Sequence, residues 1–187
     1  MKLKAVFLDK DGTLIPDIPY NVNGNKVTLS EGVVEGLQLL QSYGYLLVIV
    51  TNQSGLAHGY FTVEQLDIVR NAINNMCSKI GIYLDGFYYC PHHPNGIVDG
   101  YRTECECRKP QPGLILKAAG DMDIDLSTSW MIGDILNDVE AGNRAGCKTI
   151  LINNGNEKDW LSGDRRSPQY QAKDLTEAAR YILAANN

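Results

Sequence analysis

The chain has 187 residues, 44% of them hydrophobic and 21% charged, which is the composition of an ordinary soluble globular protein, and we expect one domain over residues 1–187. Its formal net charge of −5 argues against broad binding to nucleic acid, so any anionic substrate must be held by a few local lysines and arginines. No run of eighteen apolar residues and no basic-then-apolar leader occurs, so we expect a cytoplasmic protein that does not bind membranes. A small acidic domain is compatible with a monomer, which we expect.

Short apolar runs alternate with amphipathic helical segments along the chain. The helical segments carry start signals, such as a Thr62–Gln65 capping box, and stop signals, such as Gly44, Gly81 and Gly120. This alternation predicts an α/β fold with a Rossmann-like, doubly wound, mainly parallel sheet covered by helices on both faces. The predicted strands are Ala5–Leu8, Tyr45–Val50, Gly86–Tyr89, Ser129–Ile132 and Thr149–Ile152, and the predicted helices begin near Ser30, Thr62, Pro112, Leu136 and Asp174.

Two aspartates follow the first predicted strand, one residue apart. Alternate side chains of an extended chain point to the same face, so Asp9 and Asp11 face one pocket, and Gly12 allows the backbone to turn. Two such carboxylates repel unless a cation lies between them. The arrangement suits Mg²⁺, with one aspartate as nucleophile and the other as acid and base, although an ordinary Asp-Gly turn has the same pattern.

Three further segments place polar groups beside the ends of predicted strands. Thr51 and the small polar residues after it form either a phosphate cradle or an ordinary turn. Arg108 and Lys109 are either an anion-binding pair or a solvated surface. Asp134 is a further oxygen ligand for a metal, and Asp138 is a ligand, a support for one, or a helix-dipole partner. The carboxyl ends of parallel strands meet at one edge of a sheet, so these groups share one location.

The segment before Arg108 holds three cysteines and a histidine with the spacing of metal ligands. Three thiolates and one imidazole form a closed tetrahedral site, so we predict a structural Zn²⁺ that stiffens this polar loop and orients Arg108 and Lys109. Disulfides are the alternative, but they are disfavoured in a reducing compartment. His93 is an alternative to His92, although the C-x-H and C-x-C symmetry favours His92. The four predicted zinc ligands are Cys90, His92, Cys105 and Cys107.

Four motifs, in this order and spacing, resemble the signature of the haloacid dehalogenase-like phosphatase superfamily. The resemblance covers about residues 4–152. It implies a phosphatase fold, and the chain has no room for a separate cap domain, so long loops must form the walls of the pocket. The motifs are Asp-x-Asp-Gly-Thr at 9–13, a strand that ends in Thr51, then Lys109, and Gly-Asp-x-x-x-Asp at 133–138.

The resemblance also implies a role for each matching residue. Asp9 attacks phosphorus to form an aspartyl-phosphate, while Asp11 protonates the leaving alkoxide and later deprotonates the hydrolytic water. Mg²⁺ is held by Asp9, the backbone carbonyl of Asp11 and the side chain of Asp134. Thr51 and Lys109 hold the transferring phosphoryl oxygens, in keeping with a reaction that depends on positioning and charge neutralisation.

With its Cys-His loop, the chain is similar to the D-glycero-D-manno-heptose-1,7-bisphosphate 7-phosphatases, and similar loops occur in histidinol-phosphate phosphatases. The resemblance implies that Arg108 recognises the distal part of the substrate, as a C1 phosphate, and that a set of polar residues lines the sugar. The matching segments are 51–55, 59–62, 88–96 and 105–113. The residues that the resemblance places against the sugar are Asp17, Tyr20, Asn52, Gln53 and Ser54.

The sequence departs from this family at two positions. His58 stands where the family usually has Arg, and Ile135 stands where a basic residue often follows the Gly-Asp. Either change could alter the preference for a sugar or an anomer, and neither affects the phosphatase chemistry.

We therefore predict a Mg²⁺-dependent phosphatase that releases the C7 phosphate of D-glycero-D-manno-heptose 1,7-bisphosphate in the synthesis of nucleotide-heptose precursors of lipopolysaccharide and other surface glycans. A histidinol-phosphate phosphatase is the nearest alternative. A zinc-stabilised, non-catalytic binding protein is a second alternative, but a scaffold has no need for the two facing acids Asp9 and Asp11.

Overall fold

A parallel six-stranded sheet forms the centre of the computed structural model, which describes residues 2–185. The strands are β1 (Ala5–Leu8), β2 (Leu46–Asn52), β3 (Gly86–Cys90), β4 (Trp130–Gly133), β5 (Lys148–Ile152) and β6 (Tyr170–Ala172). They lie in the order β3-β2-β1-β4-β5-β6, and every neighbouring pair is parallel. The order reverses between β1 and β4, and the crevice outside the carboxyl ends of such a pair is where ligands bind in doubly wound folds.

Helices cover both faces of the sheet, as predicted. The first strand shows why, because Val6 and Leu8 lie in the core cluster on one face while Ala5 and Phe7 lie in the cluster on the other. The helices are α1 (Val33–Ser42), α2 (Val63–Lys79), α3 (Gly113–Met122), α4 (Leu136–Ala145) and α5 (Leu175–Ala184). Most core residues of α1, α2 and α5 belong to the first cluster, and those of α3, together with Ala141 and Ala145 of α4, belong to the second.

The ends of the helices agree only partly with the sequence signals. The capping box of α2 is confirmed, since Thr62 Oγ1 accepts from the Gln65 N–H and Gln65 Oε1 accepts from the Thr62 N–H. Ser30 does not cap α1; the N-cap is Gly32, in the left-handed region at φ 75°. Gly120 does not end α3, which continues to the left-handed C-cap Asp123.

The sixth strand was not predicted from the sequence. It has only three residues, one of them exposed, and it lies at the edge of the sheet beside β5. A strand of this length is too short to show a periodic apolar pattern.

Across residues 2–185, no helix has the length and apolar character needed to cross a lipid bilayer.

Candidate active site

A cleft of about 340 Å³ opens at the carboxyl ends of β1, β2 and β4. It brings together residues that are separated by more than a hundred positions in the chain. Arg108 is not among the described residues that line it, whereas every other residue predicted for catalysis, magnesium or sugar binding is. These lining residues are Asp9, Asp11, Asp17, Tyr20, Thr51, Asn52, Gln53, Ser54, Lys109 and Asp134.

A tight turn after β1 shapes the floor of the cleft. Gly12 has φ 80°, a left-handed conformation that favours glycine, and its N–H donates to the carbonyl of Ile15 at 2.8 Å. A Cβ at this position would also collide with the carboxylate of Asp134 and the amide of Asn156. Gly12 is therefore required both for the turn and for the close approach of the β4 loop to the β1 loop.

Lys109 is buried at the centre of the cleft between two carboxylates. Its Nζ donates to Asp9 Oδ1 and to the carbonyl of Val50 at 2.9 Å, and it lies 2.6 Å from Asp138 Oδ1. Burial by itself lowers the pKa of Lys109, but the neighbouring Asp138 and Asp9 carboxylates raise it above its ordinary value. The ammonium is therefore charged and fixed where an anionic ligand of the cleft would meet it.

Asn52 anchors Lys109, a contact that sequence reasoning missed. Its side-chain amide donates to the Lys109 carbonyl and accepts from the Lys109 N–H, both at 3.0 Å. The resemblance placed Asn52 against the sugar; it lines the cleft, but its amide is already engaged with the backbone 57 residues away. The cis peptide bond between Lys109 and Pro110 lies next to this clamp.

Asp138 lies in the first turn of α4 and is fully buried. Its Oδ2 accepts from the Ile135 N–H at 3.2 Å, and its Oδ1 pairs with Lys109. A Cβ on Gly133 would collide with Asp138, so this glycine is needed for the approach. Of the three roles left open by the sequence, these contacts favour a support for Lys109.

The side chains around Asp11 differ from those around Asp9. Lys10 Nζ donates to Asp11 Oδ1 at 2.6 Å, and Gln53 Nε2 donates to Asp11 Oδ2 at 3.1 Å and to Thr51 Oγ1 at 3.0 Å. The Asp11 side chain is 31% exposed, against 11% for Asp9. Strand alternation would turn Lys10 away from both aspartates, but the turn after β1 breaks that alternation, so the contact between Lys10 and Asp11 does not follow from the sequence pattern.

The buried carboxylates lack enough positive charge among the described residues. Asp9, Asp134 and Asp138 each place an oxygen within 4.8 Å of the other two. Burial raises the pKa of Asp9 to about 8, and burial together with the Asp138 charge raises the pKa of Asp134 to about 6. One lysine against three acids leaves a net negative site made of hard oxygen donors. This donor set fits a divalent cation such as Mg²⁺.

The four predicted zinc ligands converge beside the cleft. The sulfurs of Cys90, Cys105 and Cys107 lie 3.1 to 3.5 Å apart without forming a disulfide, and His92 Nδ1 lies 3.3 Å from the Cys107 sulfur. Sulfurs around a tetrahedral Zn²⁺ lie about 3.8 Å apart for Zn–S bonds of about 2.3 Å, so the three sulfurs here lie slightly closer together than zinc-bound sulfurs do. The structure brings His92 into the cluster, whereas His93 Nδ1 accepts from the Asn95 N–H outside it. The three thiols and imidazole fit Zn²⁺.

A row of rings runs from the rim of the cleft towards Arg108. Tyr20 packs edge-on against Tyr60 with centroids 4.5 Å apart, His58 stacks on Tyr60 at 5.5 Å, and His93 lies 4.8 Å from His58. We call Tyr20, Tyr60, His58 and His93 the aromatic row. Burial lowers the pKa of His93, and the nearby charge of Arg108 lowers it further. Arg108, whose Nη1 donates to the His92 carbonyl at 3.4 Å, lies at the far end of the row.

Comparisons with known proteins show the family to which the chain belongs. A HAD-hydrolase-like family model matches residues 106–178. A D-glycero-beta-D-manno-heptose-1,7-bisphosphate 7-phosphatase of Pasteurella multocida is 44% identical over 180 residues, which cover 96% of each chain. The enzyme of the same name from Escherichia coli K12 is 39% identical over 84% of this chain and 87% of its own.

A solved structure provides a further match. The crystal structure of D,D-heptose 1,7-bisphosphate phosphatase from B. bronchiseptica, complexed with magnesium and phosphate, has a TM-score of 0.83 and 30% identity. The match covers 98% of this chain and 99% of the other. The chain belongs to the D-glycero-beta-D-manno-heptose-1,7-bisphosphate 7-phosphatase family of HAD-like phosphatases.

Proposed function

We propose that this protein hydrolyses the C7 phosphate of D-glycero-β-D-manno-heptose 1,7-bisphosphate through an aspartyl-phosphate on Asp9. The observation that carries the proposal is the position of two adjacent cations. Lys109 reaches into the cleft onto Asp9, while Arg108 lies at the far end of the aromatic row. Two cationic side chains that are neighbours in sequence but reach different parts of the site suit a substrate with a phosphate at each end.

The first chemical step is assigned to Asp9. Its carboxylate oxygen attacks phosphorus, and the bond from phosphorus to the sugar oxygen breaks. Asp11 donates a proton to the leaving alkoxide, and its greater exposure allows it to exchange protons with water. In the second step Asp11 takes a proton from the attacking water, the acyl phosphate bond breaks, and Asp9 is regenerated as inorganic phosphate leaves.

Asp9, the Asp11 backbone carbonyl and Asp134 would hold Mg²⁺. When bound, the ion would neutralise negative charge on the transferring phosphoryl group. Thr51 and Lys109 line the same cleft from β2 and from the zinc loop, and the Thr51 hydroxyl and the fixed positive charge of Lys109 favour the negative charge that develops during transfer.

The Cys-His loop would hold a structural Zn²⁺ through Cys90, His92, Cys105 and Cys107. The closed ligand set leaves no position for substrate, and the ligands directly precede Arg108 and Lys109. We propose that the zinc holds these two cations at a fixed separation, with the Asn52 clamp as its counterpart on β2.

We propose that Tyr20, Asp17 and Ser54 contact the heptose chain between the two phosphates, since all three line the cleft beside the aromatic row. The β anomer is favoured because the relatives from P. multocida and E. coli are named for it. We further propose a cytoplasmic, monomeric protein of one domain that supplies a precursor of lipopolysaccharide. The five free cysteines support a reducing compartment.

Phosphorus NMR of the reaction tests which ester is cleaved. With the β-configured 1,7-bisphosphate and Mg²⁺, the C7 phosphomonoester signal is expected to convert to inorganic phosphate while the anomeric C1 phosphate signal persists. The reason is that the nucleophile lies at one end of the binding surface and Arg108 at the other. Release of the C1 phosphate first, or of both at equal rates, would contradict the assignment.

A further inference from the structure

A short segment after β5 joins the two loops that carry the proposed Mg²⁺ ligands. Asn154 Nδ2 donates to the carbonyl of Gly12 at 2.7 Å, and Asn156 Nδ2 donates to Asp134 Oδ2 at 2.7 Å. Glu157 Oε2 accepts from the Leu136 N–H at 2.6 Å, at the start of α4. We call residues 154–157 the asparagine bracket.

The bracket supplies the shorter of two side-chain hydrogen bonds to the Asp134 carboxylate. Asp134 Oδ1 accepts from Thr13 Oγ1 at 3.4 Å, whereas Asp134 Oδ2 accepts from Asn156 Nδ2 at 2.7 Å. The Asn156 side chain also lines the cleft, so it lies at the edge of the carboxylate cluster. An amide N–H donates a hydrogen bond to a carboxylate and cannot ligate a cation. Through this N–H, Asn156 therefore orients the Asp134 carboxylate and does not bind the metal itself.

The three contacts of the bracket have different roles. Asn154 ties the segment to the β1 loop, and Glu157 caps the first turn of α4, so both serve the fold. Among the described residues, the Asn156 side chain donates to Asp134 and to no other group, and the residue is partly exposed. Loss of its amide therefore removes a contact to the site and little of the buried core.

We infer that Asn156 is a positioning residue, which holds Asp134 in the orientation that faces the proposed Mg²⁺. The inference rests on the proposed function. Partners that orient ligating carboxylates typically contribute about 10- to 100-fold to metal affinity. The residue lies 18 positions beyond Asp138, outside the motifs that identified the site from sequence.

The test is the dissociation constant for Mg²⁺ alone, measured by calorimetric titration of Asn156→Ala and wild type. Asn153→Ala is the matched control, because it is the same substitution at the residue directly before the bracket, and the Asn153 side chain donates to Gln171, away from the site. Asn156→Ala is expected to weaken Mg²⁺ binding by about 10-fold or more, and Asn153→Ala to leave it unchanged. The melting temperature without Mg²⁺ is expected to stay within about 2 °C of wild type in both.

The activity of the same variants gives a second readout. Asn156→Ala is expected to need about 10-fold more Mg²⁺ for half-maximal turnover, with kcat at saturating Mg²⁺ changed less than this. Mg²⁺ binding by Asn156→Ala as tight as that of wild type would overturn the inference and leave the proposed function intact. Equal weakening in both variants would also overturn it, since the effect would then belong to the loop. Failure of wild type to bind Mg²⁺ would overturn the proposed function as well.

Discussion

Replacing Asp9 with asparagine is expected to lower kcat by about 10⁴-fold or more, because the amide cannot attack phosphorus and the second step has no acyl phosphate to hydrolyse. The substitution keeps the shape of the side chain, and Lys109 retains Asp138 and the Val50 carbonyl as partners. Release of inorganic phosphate from the bisphosphate under saturating Mg²⁺ measures the loss. Asp99→Asn is the matched control, since the Asp99 side chain is 97% exposed, and we expect it to retain full activity.

Asp9→Asn is also expected to be more stable than wild type without Mg²⁺ at alkaline pH. Burial raises the pKa of Asp9 from 3.8 to about 8, so the folded protein keeps a proton that the unfolded chain releases. The stability due to this proton is complete below the unfolded pKa of 3.8 and is lost as the pH rises through about 8. The asparagine amide is neutral throughout.

Thermal melts without metal test this second effect. At the pH of the Asp9 pKa, about 8, the variant is expected to melt at least roughly 3 °C above wild type, and the difference is expected to shrink as the pH falls. Full turnover by Asp9→Asn would refute the nucleophile assignment. A variant that melts below wild type across this pH range would contradict a pKa of Asp9 raised by burial.

Replacing Cys107 with serine is expected to lower the melting temperature by roughly 10 °C or more and to abolish zinc binding, because a structural zinc site contributes directly to folding. The sulfur of Cys107 lies within 3.3 Å of three other ligands, so its loss disrupts the whole set. We also expect a fall in kcat, since Lys109 follows two residues later. Zinc content of the purified protein and thermal melts measure the effect.

Cys77→Ala is the control for the zinc prediction. Cys77 is buried in the core on α2, on the opposite face of the sheet from Cys90, so its truncation removes a small apolar group away from the zinc ligands. We expect it to keep its zinc and lose only about 1–2 kcal/mol of stability. Wild-type protein that purifies without zinc, and a Cys107→Ser variant as stable as wild type, would show that the cluster is not a metal site.

The parts of the fold that follow from periodicity were predictable. The five longer strands and the capping box of Thr62 and Gln65 each have a local signal, and the parallel sheet then brings Asp9, Thr51 and Asp134 to one edge. The three-residue β6 has no such signal. The start of α1 was misplaced because Gly32, with its left-handed backbone, begins the helix in place of a polar side chain.

The contacts that complete the site were not predictable, because they depend on irregular loops. Lys10 reaches Asp11 only because the chain turns after β1, and Asn52 holds Lys109 across 57 positions. Asn156 lies in a polar segment with no periodicity and meets Asp134 only in the folded chain. Strand alternation predicts which side chains share a face but not which of them meet across loops.

The most direct test of the central claim is the ratio of kcat/KM for D-glycero-β-D-manno-heptose 1,7-bisphosphate to that for histidinol phosphate and for a generic phosphomonoester. A site that holds a phosphate at Lys109 and a second one at Arg108 loses the second interaction with either monophosphate, so we expect the bisphosphate to be preferred by at least about 100-fold. The α anomer is the closest comparison and is expected to fall between them. Equal kcat/KM for the bisphosphate and the generic ester, or a preference for histidinol phosphate, would contradict the proposed function.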